Sequence, residues 1–222
     1  MPQVKLVCVS KPTLPDQPEM TAEQLIAYCA RVSNPANQAN TDTAEKLIRY
    51  LIANHHWSPF EMVSMTLEIN TTRDIARQIL RHRSFSFQEF SQRYADPTKE
   101  LEFKRREARL QDTKNRQNSI VNTDKKLAQE WDDRQNGLIL RALVQYEWAL
   151  KNGIAKEQAR AVLPEGCTMS RLYMAGTVRS WMHYCELRRS HGTQSEHQMI
   201  AEECWKIFTQ QFPGFADYYK QW

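Results

Sequence analysis

Residues 62–70 read MVSMTLEIN, and their alternation constrains the fold more than any other stretch of the chain. Val63, Met65, Leu67 and Ile69 point one way, while Ser64, Thr66, Glu68 and Asn70 point the other. Side chains of an extended strand alternate between its two faces, so this pattern predicts a strand with one buried and one polar face. Such a strand needs neighbours to pair with and an apolar layer to cover it. VKLVCVS (4–10) and residues 167–174 are candidate partners. The covering layer reads as helical. TAEQLIAYCARVS (21–33) and DTAEKLIRYLIANHH (42–56) open with Thr21 and Gln24, and with Asp42 and Glu45, at capping-box spacing. Asn34-Pro35 and Ser58-Pro59 interrupt them. Thr71 and Asp74 repeat the capping spacing at the start of TTRDIARQILRHR (71–83), with Ile75, Ile79 and Leu80 turned inward. Further helices are predicted over 124–152, stopped by Gly153, then over 155–164, 177–188 and 194–212. The residues alone predict one α+β domain over 1–222 with two to four strands. The polar stretch 96–124 reads as a surface excursion.

Composition narrows the function classes. The chain has 222 residues with 41% hydrophobic content, enough for a sizeable core. It lacks an apolar run of transmembrane length, and its first residues lack a signal peptide's apolar core, so a cytoplasmic protein without a membrane partner is expected. The five cysteines form no CxxC pair, and the six histidines form no HExxH, so no metal site is expected. Net charge is +4 and only six glycines occur, with no GxGxxG or GxxxxGK[ST] run. Nucleotide phosphates, if bound, must therefore be held by side chains.

Residues 81–94, RHRSFSFQEFSQRY, mix cations with aromatics. Arg73, Arg77, Gln78, Arg81, His82, Arg83, Glu89, Ser91 and Arg93 crowd one predicted helix end and the loop after it. Guanidinium groups bind phosphates and carboxylates through paired hydrogen bonds. Phe85, Phe87 and Phe90 should anchor the loop, so the polar groups between them are held rather than mobile. Two other stretches carry polar groups of interest. HHWSPFEM (55–62) forms a turn before the alternating strand, and RSWMHYCELRRSHGTQSEH (179–197) places Arg179, His183 and Arg188 on roughly one helical side. A basic face of this kind could also bind nucleic acid, although Glu89 inside the patch and the modest net charge argue against it.

Arg81-His82-Arg83 followed by Ser91 and Arg93-Tyr94 resembles the signature of the flavin-dependent thymidylate synthases. CARVS (29–33), HxSPFE (56–61), ARQxxRHR (76–83), ARxVLP (159–164) and RSWMHYCELR (179–188) are similar to family blocks in family order. The resemblance implies a single α+β domain with a curved, mostly antiparallel sheet flanked by helices, assembled as a homotetramer with active sites between subunits. It implies reductive methylation of dUMP to dTMP, with methylenetetrahydrofolate as carbon donor and FAD, reduced by NADPH, as hydride carrier. No cysteine nucleophile is implied.

Position by position, the resemblance places Arg77, Gln78, Arg81, Glu89, Ser91, Gln92, Arg93 and Arg160 around dUMP. It assigns Arg188 the catalytic role of favouring ionisation of the uracil imide. For FAD it points to Ser33, His56, Ser58, Glu61, Arg81, His82, Arg83 and Glu89, and more loosely to Thr177, Arg179 and His183. Thr177 and His183 stand where the family pattern suggests asparagines, Gln88 replaces an asparagine, and Gly192 takes a position where histidine is common.

Overall fold

The computed structural model describes residues 3–216; the remaining ends of the expected 1–222 domain lie outside the described residues. In chain order the elements are β1 (Gln3–Val9), α1 (Ala22–Ala30), α2 (Ala44–Ala53), β2 (Ser64–Thr72), α3 (Arg73–Ile79), β3 (Ser86–Glu89) and α4 (Pro97–Glu100). There follow β4 (Leu110–Gln111), β5 (Ser119–Ile120), α5 (Lys125–Lys151), α6 (Lys156–Ala159), β6 (Met169–Thr177), α7 (Val178–Arg189) and α8 (Ser195–Gln211).

Four strands form an antiparallel sheet in the order β1-β2-β6-β3, and β4 pairs with β5 in a separate hairpin. β2 and β6 run in continuous register from Ser64 opposite Thr177 to Thr72 opposite Met169. The ladder extends into the helix starts. Val178 donates its N–H to the Val63 carbonyl and Arg73 donates to the Thr168 carbonyl, each at 2.9 Å. α3 and α7 therefore leave opposite ends of the central strand pair with no intervening loop. Helix starts so placed are fixed by the sheet rather than by a flexible connection.

The alternation at 63–69 is realised: Val63, Met65, Leu67 and Ile69 are buried together with Leu172 and Met174 of β6. Ile26, Ile48, Ile75, Ile79, Trp181, Tyr184, Ile200 and Phe208 cover them from the helical side. Each such aliphatic side chain contributes about 1.5–3 kcal/mol on burial, so this single cluster dominates the fold's stability. The Trp181 indole N–H reaches the Met65 carbonyl at 2.9 Å, which satisfies a donor that would otherwise be buried unpaired.

Several expectations are corrected. The Thr21/Gln24 capping box forms in both directions. The other two do not. Thr43 caps α2 without a side-chain bond, because its hydroxyl accepts from Arg31 instead. Thr72, not Thr71, precedes α3, and its hydroxyl and the Asp74 carboxylate both accept from Arg106. α3 ends at Ile79, short of the expected 83, and part of the expected loop after it is the edge strand β3. The strand expected over 167–174 is β6, which spans Met169–Thr177. Residues 155–164 form the single turn of α6 followed by a 3-10 turn. The 96–124 excursion is not free of the body, because Arg106 ties it in. Its backbone N–H donates to Gln135 of α5 at 2.8 Å, and its guanidinium reaches Thr72, Asp74 and the Gly166 carbonyl. α5 starts at its Asp124 cap and ends before Gly153, whose φ of +78 favours a residue without Cβ. Of its apolar residues Ile139, Ala142, Tyr146 and Ala149 are buried, whereas Leu127, Trp131 and Leu138 are exposed.

Candidate functional site

The segment between α3 and β3 is held by aromatic packing. Phe85 enters the core, 4.8 Å from the Trp181 ring and edge-on to it, and Phe87 packs beside it. β3 then pairs with β6 from Ser86 opposite Ala175 to Glu89 opposite Leu172. The Phe90 N–H extends the pairing to the Arg171 carbonyl at 2.8 Å. Polar side chains of 81–90 are thereby mounted on sheet and core, as a preorganised site requires.

Glu89 is the centre of a first cluster. Its carboxylate accepts from the Ser170 hydroxyl at 2.8 Å and from Arg77 at 3.3 Å, with Arg73 3.6 Å away. Arg77 also donates to Glu165 at 3.1 Å. Burial pushes the Arg73 guanidinium pKa down, and Glu89 opposes that shift. Arg77 is exposed and Gln78 half-buried, so both are available to a ligand.

A second cluster joins α3, α7 and α8. Arg188 donates its Nε–H to His82 Nε2 at 2.8 Å. A nitrogen that accepts carries no proton, so His82 is neutral with its hydrogen on Nδ1. Burial, with help from Arg188 and Arg81, holds its pKa down to about 4. The His82 ring lies edge-on to Tyr184 at 4.9 Å and to His197 at 6.3 Å. His197 bridges the Tyr184 hydroxyl and the Gln78 amide oxygen at 3.1 and 3.2 Å. Arg81 and Arg83 are exposed and form no ion pair among the described residues.

The third cluster gathers the 55–61 turn against α7. His55 has φ of +56, in the left-handed region, where it closes α2: its N–H bonds the Ile52 carbonyl and that of His56 bonds the Leu51 carbonyl. This closure sets the direction of the turn that carries Ser58 and Glu61. Glu61 accepts from Arg179 at 2.6 Å, and the His183 ring stands edge-on to Trp57 at 5.0 Å. Burial first, and Arg179 second, lower the His183 pKa. Arg179 and His183 thus face the turn while Arg188 faces His82. The expectation that all three share a helical side is corrected, since nine residues at 3.6 per turn are two and a half turns. Thr177 caps α7, accepting from the Ser180 N–H at 3.3 Å.

The remaining expected residues lie at the margins. Arg93 donates to the Glu157 carboxylate at 3.0 Å, Arg160 to the Glu157 carbonyl at 3.2 Å, and Ser91 accepts from the Arg93 N–H. Gln92 is buried with its Nε2 unpaired among the described residues. Ser33 lies in a separate depression of about 560 Å3 with Asn34, Lys46 and Tyr50, and His56 meets the same Tyr50 ring edge-on. Residues that the sequence reading omitted include Arg106, Glu165, Ser170, Tyr184, Gln194 and His197. None stands at a telling spacing from the 81–94 run. Only pairing in space connects them, and Ser170 and Glu165 reach Glu89 and Arg77 from around 80 or more positions away.

The clusters offer cations for phosphate or carboxylate oxygens, neutral imidazoles, and flat aromatic edges. Arg81 and Arg83, without an ion pair among the described residues, and the His183–Trp57 ring pair of α7 and the 55–61 turn fit an anionic aromatic cofactor better than a metal. Burial drives the Cys185 thiol pKa far up, which leaves it inert as a nucleophile. Among the described residues no helix is long and apolar enough to cross a membrane.

Comparison with known proteins agrees with this chemistry. The family model for thymidylate synthase complementing protein matches residues 17–214. A protein of Paramecium bursaria Chlorella virus 1 named "Probable flavin-dependent thymidylate synthase" is 50% identical over 212 residues, covering 96% of each chain. The flavin-dependent thymidylate synthase of a Synechocystis strain is 50% identical over 214 residues, covering 96% of this chain and 97% of its own. Among solved structures, a UMP/dUMP methylase from Streptomyces cacaoi bound with 5-Br dUMP superposes with a TM-score of 0.77 at 28% identity, covering 97% and 94% of the two chains.

Proposed function

The chain belongs to the family of flavin-dependent thymidylate synthases, and on that premise we propose that it makes dTMP by reductive methylation of dUMP. Methylenetetrahydrofolate is the carbon donor and leaves as tetrahydrofolate. FAD, when bound, supplies the hydride, which it receives from NADPH. The observation that carries this reading is the short segment 81–89, which has a cationic cluster at each end. Arg73 and Arg77 flank Glu89 at one end, and Arg188 meets His82 at the other.

The protein's own groups then have distinct tasks. Arg77, Gln78, Arg81, Arg93 and Arg160 bind the nucleotide, with Glu89, Ser91 and Gln92 on the segment that carries it. Glu89 draws Arg73 and Arg77 to one carboxylate, offsets their mutual repulsion and orients them. Arg188, fixed by its bond to His82, places positive charge beside the uracil imide. A fixed guanidinium in a water-poor site favours the ionised ring, whose C5 is the better carbon nucleophile. Arg81, His82 and Arg83, with Ser58, Glu61, Thr177, Arg179 and His183, hold FAD, and Ser33 and His56 line its outer part. Arg77, Arg81, Arg83 and Glu61 of the three clusters are exposed on a single chain, and Trp131, Leu138 and Trp148 are exposed along α5. Both features support a homotetramer with sites completed between subunits.

The test is anaerobic turnover by FAD-loaded protein given dUMP, methylenetetrahydrofolate and NADPH. Equal yields of dTMP, tetrahydrofolate and NADP+ are expected. A yellow, tetrameric, folded protein that forms no dTMP overturns the reading.

A further inference from the structure

We propose that Tyr184 and His197 are positioning residues that lock the Gln78 carboxamide in one of its two flip orientations, so that it presents an N–H donor to the nucleotide. The inference rests on the reading that α3 lines the dUMP site. It stands on a chain of hydrogen bonds whose direction is set at one end. Glu196 is a carboxylate held by Arg106 at 3.2 Å, and a carboxylate only accepts. Gln194 must therefore donate to it through Nε2, at 3.0 Å. The Gln194 oxygen is then left to accept, and Gln78 Nε2 donates to it at 2.7 Å.

That bond turns the Gln78 oxygen towards His197 Nδ1, which must carry a hydrogen to donate across 3.2 Å. With its hydrogen on Nδ1, His197 accepts at Nε2, and the Tyr184 hydroxyl donates there at 3.1 Å. Reversing one link alone would set two acceptors face to face, and reversing the whole chain would place the Gln194 oxygen against the Glu196 carboxylate. His197 is fully buried and Tyr184 nearly so, so neither can exchange its partner for water. Burial also keeps His197 neutral, with a pKa near 3, as the chain of donors requires. Gln78 Nε2 has two hydrogens and Gln194 uses one. The other is left to donate to an oxygen acceptor on the nucleotide. A flipped amide would offer a carbonyl there and repel it.

Binding of dUMP by calorimetry, and KM and kcat in turnover, test this on the flavin-loaded enzyme. His197→Phe keeps bulk but removes both ring nitrogens; dUMP affinity should fall about tenfold, with a matching rise in KM and little change in kcat. His197→Asn restores a donor near the Nδ1 position and should recover most of that loss. Tyr184→Phe removes one hydroxyl without changing shape and should cost about threefold. A purely structural role predicts the opposite order, because Asn leaves a cavity that Phe does not. Folded His197→Phe with unchanged dUMP affinity overturns the proposal. If that variant does not fold, Tyr184→Phe decides, and unchanged affinity there overturns it. If wild-type protein itself does not bind dUMP, the functional reading falls and this proposal falls with it.

Discussion

Arg188 and His82 meet Nε to Nε2 at 2.8 Å, with the guanidinium as donor and the imidazole as acceptor. The pair places a permanent cation against a group that cannot take a proton while the bond lasts. Arg188→Ala should cut kcat by about 100-fold or more, the usual cost of deleting one preorganised charge partner of a reacting group. Its melting temperature should move by only a few degrees, since the side chain is half-exposed. Turnover within a few-fold of wild type would remove Arg188 from the chemistry.

Acid should destabilise the protein through two histidines. His82 is held down to about 4 and His197 to about 3, both mainly by burial, against an ordinary value of 6.5. Below pH 6.5 the unfolded chain takes up protons that the folded chain refuses, so stability falls as pH drops from 6.5 to about 4. Above 6.5 neither state binds the proton and the dependence vanishes. The slope is up to about 1.4 kcal/mol per pH unit for His197 and less for the half-exposed His82. Urea midpoints across this range should fall with acid in wild type, and less steeply in His197→Phe. Equal slopes in the two proteins would refute the assignment.

What could be read from the residues follows from how local each cause is. The β2 strand was legible because Val63, Met65, Leu67 and Ile69 carry their own period. β3 was not, because four residues with no β-branched side chain become a strand only by pairing with β6. The Thr21/Gln24 box formed because all its donors and acceptors lie within one turn of chain. The Thr71/Asp74 box failed because Arg106, more than thirty residues on, takes the Asp74 carboxylate. The site divides the same way. Arg81 to Tyr94 announces itself by resemblance, whereas Tyr184, His197 and Gln194 come together from two helices and a loop, and no spacing marks them.

Arg106 shows what that long-range wiring is worth. One guanidinium serves Asp74, Thr72, Glu196 and the Gly166 carbonyl, and is itself mostly buried. Arg106→Ala should cost about 2–3 kcal/mol, as expected for lost hydrogen bonds to charged groups. It should also raise amide exchange in the β4–β5 hairpin, which Arg106 ties to α3 and α8. A melting temperature and hairpin exchange both equal to wild type would show that the excursion is held by other contacts.

At Gly176 the backbone of β6 lies close against the Phe85 ring of the 81–89 segment. A Cβ built there would lie 2.4 Å from Phe85 Cδ1, well inside contact distance. Phe85 cannot retreat easily, because its ring is already wedged edge-on against Trp181 and Tyr184. Gly176→Ala should therefore push Phe85 and the chain that carries it, at a cost of about 1–3 kcal/mol. The displacement should also reach function, since Phe85 stands between His82 and Glu89 in the chain and pins both. A rise in dUMP KM should accompany the lower melting temperature. Phe85→Leu on its own should destabilise by leaving space in the core, but in the Gly176→Ala background it should relieve the clash. The double-mutant cycle should then show a favourable coupling of about 0.5–3 kcal/mol, the range for residues in direct contact. Simple additivity of the two substitutions would mean that the ring moves aside freely, and that Phe85 does not fix the segment.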